Sequence, residues 1–258
     1  MDIRKRWLIP STVVALSAVL GVAAPAQAED DVADMEFVSV VSTTENADGT
    51  VLERVFLPAP GVAPDDLAVT LTASGVPNVS VRTEGDVTAQ AAACASGTAR
   101  SWPSSTTCFV KWAYKGAVRP TIHFLDRTSA VWPVGRAVTE WNKTSGIDSI
   151  RRTPSAGCGS NAHCVEVVSA NYGNSGWMGE TWRHLNAAQT YHTNVAVYLN
   201  DYYHNNETDR WETACHELGH VLGLWHNTSK NSCLYASDGP GVSKYPSASD
   251  RALITRFY

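Results

Sequence analysis

Residues 216–226 read His216-Glu217-Leu218-Gly219-His220-Val221-Leu222-Gly223-Leu224-Trp225-His226, and this spacing dictates a local shape. Positions i and i+4 share one helix face, so His216 and His220 belong one turn apart on a helix. The preceding residues agree. Glu207 to Leu222 has helical character, Asn206 can serve as N-cap, and Asp209 suits the first turn. Gly223 can take a positive φ, which ends the helix and turns the chain back. That reversal brings His226 toward the first two histidines.

Three imidazoles at one point predict a single zinc ion with its fourth position open, the catalytic and not the structural pattern. Glu217 stands beside the first ligand, close enough to reach a zinc-bound water without displacing it. It can accept that water's proton as it attacks a carbonyl, then pass it to the leaving amine. A helix whose histidines are merely packed or solvated is the bland alternative, and three His, one Glu and one Gly at fixed offsets in eleven positions weigh against it. Glu217 is also the last glutamate of the chain, so a later helix cannot supply a glutamate ligand.

Composition divides the chain. Every Cys, His and Tyr, and every Trp except Trp7, lies at or beyond Cys94. Residues 1–28 carry Arg4, Lys5 and Arg6 against Asp2, a net of +2; residues 29–93 carry twelve acidic side chains against Arg54 and Arg82, a net of −10. Residues 94–258, with twelve acidic and fifteen basic side chains, have a net of +3. No part is basic enough for a nucleic-acid binder, and 44% hydrophobic with 17% charged residues excludes a disordered protein. Arg4-Lys5-Arg6, an apolar run from Trp7 to Ala24 and Ala26-Gln27-Ala28 predict a secretory signal peptide cut after Ala28, and no later stretch is apolar enough for a membrane span. Export makes the six cysteines disulfide partners in one of fifteen arrangements. Sequence proximity favours Cys94–Cys108, Cys158–Cys164 and Cys215–Cys233.

Residues 29–93 read as a small β-rich segment: strands at Phe37–Val41, Val51–Leu57 and Leu67–Leu71, with a hairpin turn at Asp48-Gly49. So few aromatic residues promise only a small core and marginal independent stability. Thr88–Gly97 reads as a linker. Beyond it come a strand at Thr121–Leu125, a helix at Ala130–Lys143 stopped by Gly146, and strands at Val165–Val168 and Val195–Leu199. The helix ending near Leu222 follows, then a short helix opened by the Ser247/Asp250 capping box. The class is α+β, with three parts: signal peptide 1–28, an acidic propeptide or small N-terminal domain 29–93, and a catalytic domain 94–258.

The 216–226 segment carries the full H-E-x-x-H-x-x-G-x-x-H signature of the metzincin metallopeptidases. From about Arg119 onward the chain resembles the matrixins and the small secreted bacterial enzymes of the snapalysin type. Ala137–Asn142, Gly176-Trp177-Met178-Gly179 and Ser247–Tyr258 carry that wider likeness. The resemblance implies a zinc endopeptidase with a twisted sheet, an active-site helix and a small lower lobe. It also implies an edge strand that binds protein or peptide substrate in extended form. His226 as third ligand favours the matrixins over snapalysin, which has Asp there. Leu234, in Ser232-Cys233-Leu234-Tyr235, stands where metzincins place the methionine floor beneath the metal; similar volume predicts that activity survives. A Cys215–Cys233 bridge would support that floor. Trp225, Tyr235 and the loop to Pro246 would wall the substrate pocket.

The remaining candidates are weaker. Cys94 lacks the Pro-Arg-Cys-Gly context of a matrixin cysteine switch. His123, His163, His184, His192 and His204 lack ligand spacing, Trp211 reads as helix packing, and Asp201 and Asp209 offer no clear Ca2+ motif. The expectation is a secreted, monomeric zinc endopeptidase made as a zymogen, without nucleic-acid or membrane partners after signal removal. The rival is a secreted zinc-binding module without turnover, in an adhesion or inhibitor role.

Overall fold

The chain beyond Thr121 builds its sheet by short crossovers, in a computed structural model that describes residues 39–83, 94–102, 107–116, 118–203, 206–237 and 239–258. The predicted leader, most of the predicted linker and His204 lie outside the described residues. Strand β6 (Thr121–Arg127) leads through a helix at Val134–Trp141 to β7 (Asp148–Arg152), and both β7 and β8 (His163–Ala170) run parallel to β6. Strand β10 (His192–Asn200) lies parallel to β8, and β9 (Trp177–Leu185) pairs with it antiparallel. The alternating apolar residues of β6, β8 and β10 face the two helices that carry Val134, Ala137, Val138 and Trp141, and Ala214, Leu218 and Val221. That packing forms the main core, and its closing contact comes from Leu253 and Ile254 of the last helix, Ala248–Phe257.

The N-terminal strands extend this sheet. Strands β1 (Ser39–Glu45), β2 (Val51–Pro58) and β3 (Val79–Arg82) form an antiparallel ribbon whose β2 pairs with β9 from Val51↔Leu185 to Pro58↔Trp177. The full order is β3-β1-β2-β9-β10-β8-β6-β7, with a separate two-stranded piece, β4 (Ala95–Ser96) and β5 (Ala99–Arg100). The described residues from Ser39 to Tyr258 belong to one compact unit. Marginal independent stability is therefore no obstacle, because the segment buries its apolar face on β9: Val40, Phe56, Leu67, Leu71 and Trp177 make one cluster.

Two sequence expectations are corrected. Leu67–Leu71 is not a strand but lies within helix α1 (Pro64–Ala73). Pro64 at its first turn needs no amide hydrogen, Asp65 and Asp66 favour the positive helix end, and Leu67 and Leu71 fall one turn apart on the buried face. The helix expected from Ala130 begins only at Val134, as α2 (Val134–Trp141), because Pro133 denies Trp132 the helical region. The signals at the other helices are as read. In α3 (Glu207–Val221) the Asn206 side chain accepts from the Asp209 amide, and in α4 (Ala248–Phe257) Ser247 and Asp250 form the capping box. The disulfides are Cys94–Cys108, Cys158–Cys164 and Cys215–Cys233, the three that proximity favours.

Candidate metal centre

Helix α3 carries His216 and His220 on its inner face, and the chain leaves it through Gly223 at φ +94°. A Cβ at Gly223 would stand 2.6 Å from the Val110 carbonyl oxygen, so both the backbone angle and the space require glycine. The Leu224 amide then donates back to Gly219 O at 3.2 Å and the Trp225 amide to Arg100 O at 2.9 Å, which aims His226 inward. His220 Nε2 lies 3.0 Å and His226 Nε2 3.2 Å from His216 Nε2. Tetrahedral zinc with Zn–N bonds of 2.0–2.1 Å requires nitrogens about 3.3 Å apart.

The opposite ring nitrogens explain what these distances mean. His216 Nδ1 is 2.8 Å from Cys233 O and His220 Nδ1 2.9 Å from Leu224 O. A carbonyl only accepts, so both rings carry their proton on Nδ1 and turn an Nε2 lone pair toward the shared point. His226 Nδ1 meets the Ser39 hydroxyl at 2.5 Å, where either atom can donate. Burial first, and the neighbouring rings second, push His220 and His226 well below the ordinary imidazole pKa, which keeps them neutral. Buried lone pairs converging at about 3 Å repel one another unless a cation lies between them. The donor set fits zinc. Among the described residues this is the one His/Cys/Asp/Glu group placed to share an ion.

Glu217 is fully buried. Its Oε2 accepts from the Thr181 hydroxyl at 2.5 Å, while Oε1 has no partner among the described residues. Burial pushes its carboxyl well above the usual carboxylate range, against the opposing Thr181 hydrogen bond. Strand β9 passes so close that a Cβ at Gly179 would lie 2.3 Å from Glu217 Oε1. Beneath the triad, Leu234 is wholly buried against Gly219 and Trp141, and the Cys215–Cys233 bridge ties that floor to the residue before His216. Asp250 unites the parts: it accepts from Asn227 Nδ2 at 2.7 Å, Ser232 Oγ at 2.6 Å and the Ser247 amide at 2.7 Å.

Sequence reasoning missed the supporting roles of Ser39 and Thr181 and read Asp250 only as a helix cap. Trp225 packs edge-on to Trp102 at 4.7 Å, within a cluster that includes Val41 and Val55 of the N-terminal strands. Tyr235 is nearly buried, with the Lys230 ammonium 5.7 Å over its ring. Trp211 packs edge-on to Tyr245, at 5.2 Å. The scattered histidines serve elsewhere. His163 meets Ala113 O through Nε2, His123 Nδ1 accepts from the Gly159 amide, and His192 is buried against Trp112; His184 lies on β9. Asp201 accepts from the Trp132 indole and Asp209 from the Asn206 amide group.

Residues 158–258 match the Matrixin family model. No curated protein matches the chain. Among solved structures it is similar to metalloproteinase-II from Bacteroides fragilis at 11% identity, over 86% of this chain and 76% of that one, with a TM-score of 0.34. A score that low adds nothing to the strand order and the histidine geometry.

Proposed function

We propose that this chain, whose residues 158–258 match the Matrixin family model, is a matrixin-like metzincin and a secreted zinc endopeptidase in which His216, His220 and His226 hold one zinc ion and Glu217 moves the proton. The observation that carries this reading is the convergence of the three Nε2 atoms beside a carboxylate with one unpartnered oxygen. When bound, zinc supplies Lewis acidity, which polarises a carbonyl and lowers the pKa of a water to about 7. Glu217 Oε1 takes the proton of the attacking water and delivers it to the leaving amine. The Thr181 hydroxyl holds Oε2, so the free oxygen is the one presented to the reaction. The carbonyls of Cys233 and Leu224 fix the rings of His216 and His220. An extended peptide would pair with β9, the strand beside Glu217, through main-chain hydrogen bonds.

Secretion is supported by the leader-like residues 1–28 and by three disulfides, and no described helix is long and apolar enough to cross a membrane. Residues 29–93 act as a propeptide to the domain at 94–258. The decisive test is Glu217→Ala in the mature secreted protein. Chelator-sensitive casein hydrolysis should fall by roughly 10²–10⁴-fold, while metal analysis still finds about one zinc per molecule. Turnover at the original rate in that variant would refute the role of Glu217. A zinc-loaded mature protein that never cleaves casein favours the non-catalytic module.

A further inference from the structure

The strand that touches Glu217 has no free edge. Strand β9 is paired on one side with β10 and, along its whole length, with β2 on the other. The face that β2 turns toward the site presents Glu53, Val55 and Leu57. Glu53 meets Arg183, Val55 packs with Trp102 and Trp225, and Leu57 packs on Met178. Strand β1 completes the cover, with Ser39 against His226 and Val41 against the same two tryptophans. Under these strands each of the three histidines is 1% exposed and Glu217 0%. A peptide carbonyl cannot reach the triad past them.

Ion pairs are set into the main-chain ladder between the ribbon and β9. Glu53 lies between Arg183 and Arg82, and Arg54 pairs with Glu180. Main-chain pairing along β9 together with alternate side chains seated on the site face is how an extended peptide adds to a sheet edge.

We infer that the β1–β2 ribbon is a built-in strand inhibitor: β2 stands in the place of an extended substrate on β9, β1 roofs the metal cluster, and withdrawal of the ribbon is the activating step. This rests on the peptidase reading above and adds how the same site is kept shut. If the open form is a minor state of about 0.1–10%, releasing the ribbon should raise turnover by roughly ten- to a thousandfold.

The experiment uses the full secreted chain loaded with zinc, as wild type and as the series Arg54→Glu, Glu53→Lys, the double reversal and Val55→Asp. Three readouts are compared: hydrolysis of casein, hydrogen exchange of the Val51–Pro58 and Trp177–Leu185 amides, and the rate at which a chelator strips zinc. Intact disulfides and one zinc per molecule identify the variants that fold. A separate protease site placed between Thr83 and Cys94 gives a second route to release. Hydrolysis and zinc loss should both accelerate as β2 exchange rises. Wild type working at the variants' rate while Val51–Pro58 stay protected would overturn the inhibitor. So would opened β2 with unchanged zinc loss. Faster exchange and zinc loss with no hydrolysis in any form would leave the strand cover standing and sink the peptidase reading instead.

Discussion

The segment 216–234 and the β2–β9 seam both serve one site, yet they are built on opposite principles. The segment is local. An i,i+4 helix face, a glycine turn and a disulfide across 18 residues place the three histidines proposed as ligands and the Leu234 side chain beneath them. The seam joins residues 126 and 130 positions apart, at Arg54–Glu180 and Glu53–Arg183. Its cohesion comes from a main-chain ladder, with buried ion pairs set among apolar contacts. A local motif tolerates no rearrangement without losing the convergence of the three imidazoles. The seam joins strands distant in sequence, and the proposed activation is its separation.

The sharpest way to break this contrast is Glu53→Ala. Arg183 is wholly buried, and burial pushes its guanidinium down to about 9 against the opposing Glu53 carboxylate. Removing one partner of a buried pair costs about 3–5 kcal/mol, since the other charge loses its counter-ion. The loss should fall on the seam first. Amide exchange at Val51–Pro58 should accelerate well ahead of exchange in α3. Equal acceleration in both places would mean that the sheet and the helix open as a unit.

What the sequence revealed follows the same division. His216, His220, Gly223 and His226 are legible because helix periodicity and positive φ act within a few residues. The Asn206 cap and the Ser247/Asp250 box are legible for the same reason. Strand β9 was not, since Trp-Met-Gly-Glu-Thr-Trp-Arg-His-Leu has neither alternation nor a β-branched run. Its Trp177, Glu180 and Arg183 are buried only because β2 and α1 arrive from far upstream. The hydroxyl of Ser39 on His226 spans 187 residues, which no local pattern encodes. Leu67 and Leu71 went astray as a strand because a short apolar run suits either period, and the proline and two aspartates before it decide for helix. Asp250 showed only its cap, since its bonds to Asn227 and Ser232 are tertiary.

On the local side, removing the Cys215–Cys233 bridge by a double change to alanine should cost about 3 kcal/mol, the loop-closure value for a ring of this size. Two readouts separate its roles. A bridge that only constrains the unfolded chain lowers the unfolding midpoint and leaves zinc affinity alone. A bridge that also holds the Cys233 carbonyl against His216 Nδ1 weakens zinc by roughly 10–100-fold, as loss of a ligand's outer partner does. The second result is expected, and zinc competition with a coloured chelator measures it. An unchanged affinity would return the support of His216 to the backbone alone.

The smallest effect belongs to Leu234→Met. Leu234 is fully buried, with its methyls where a Cβ on Gly219 would lie and beside the Trp141 ring. Leu and Met have similar volumes, and swaps of this kind usually cost under about 1.5 kcal/mol. The helix-facing surface of the floor needs bulk and apolarity, and both side chains supply them. Zinc content and casein turnover should therefore stay within about twofold of the parent, a difference of about 0.4 kcal/mol. A much larger loss would show that the turn at Ser232–Tyr235, pinned by Asp250 and the disulfide, is shaped to a branched side chain. The local half of the site would then be as exacting about its floor as about its histidines.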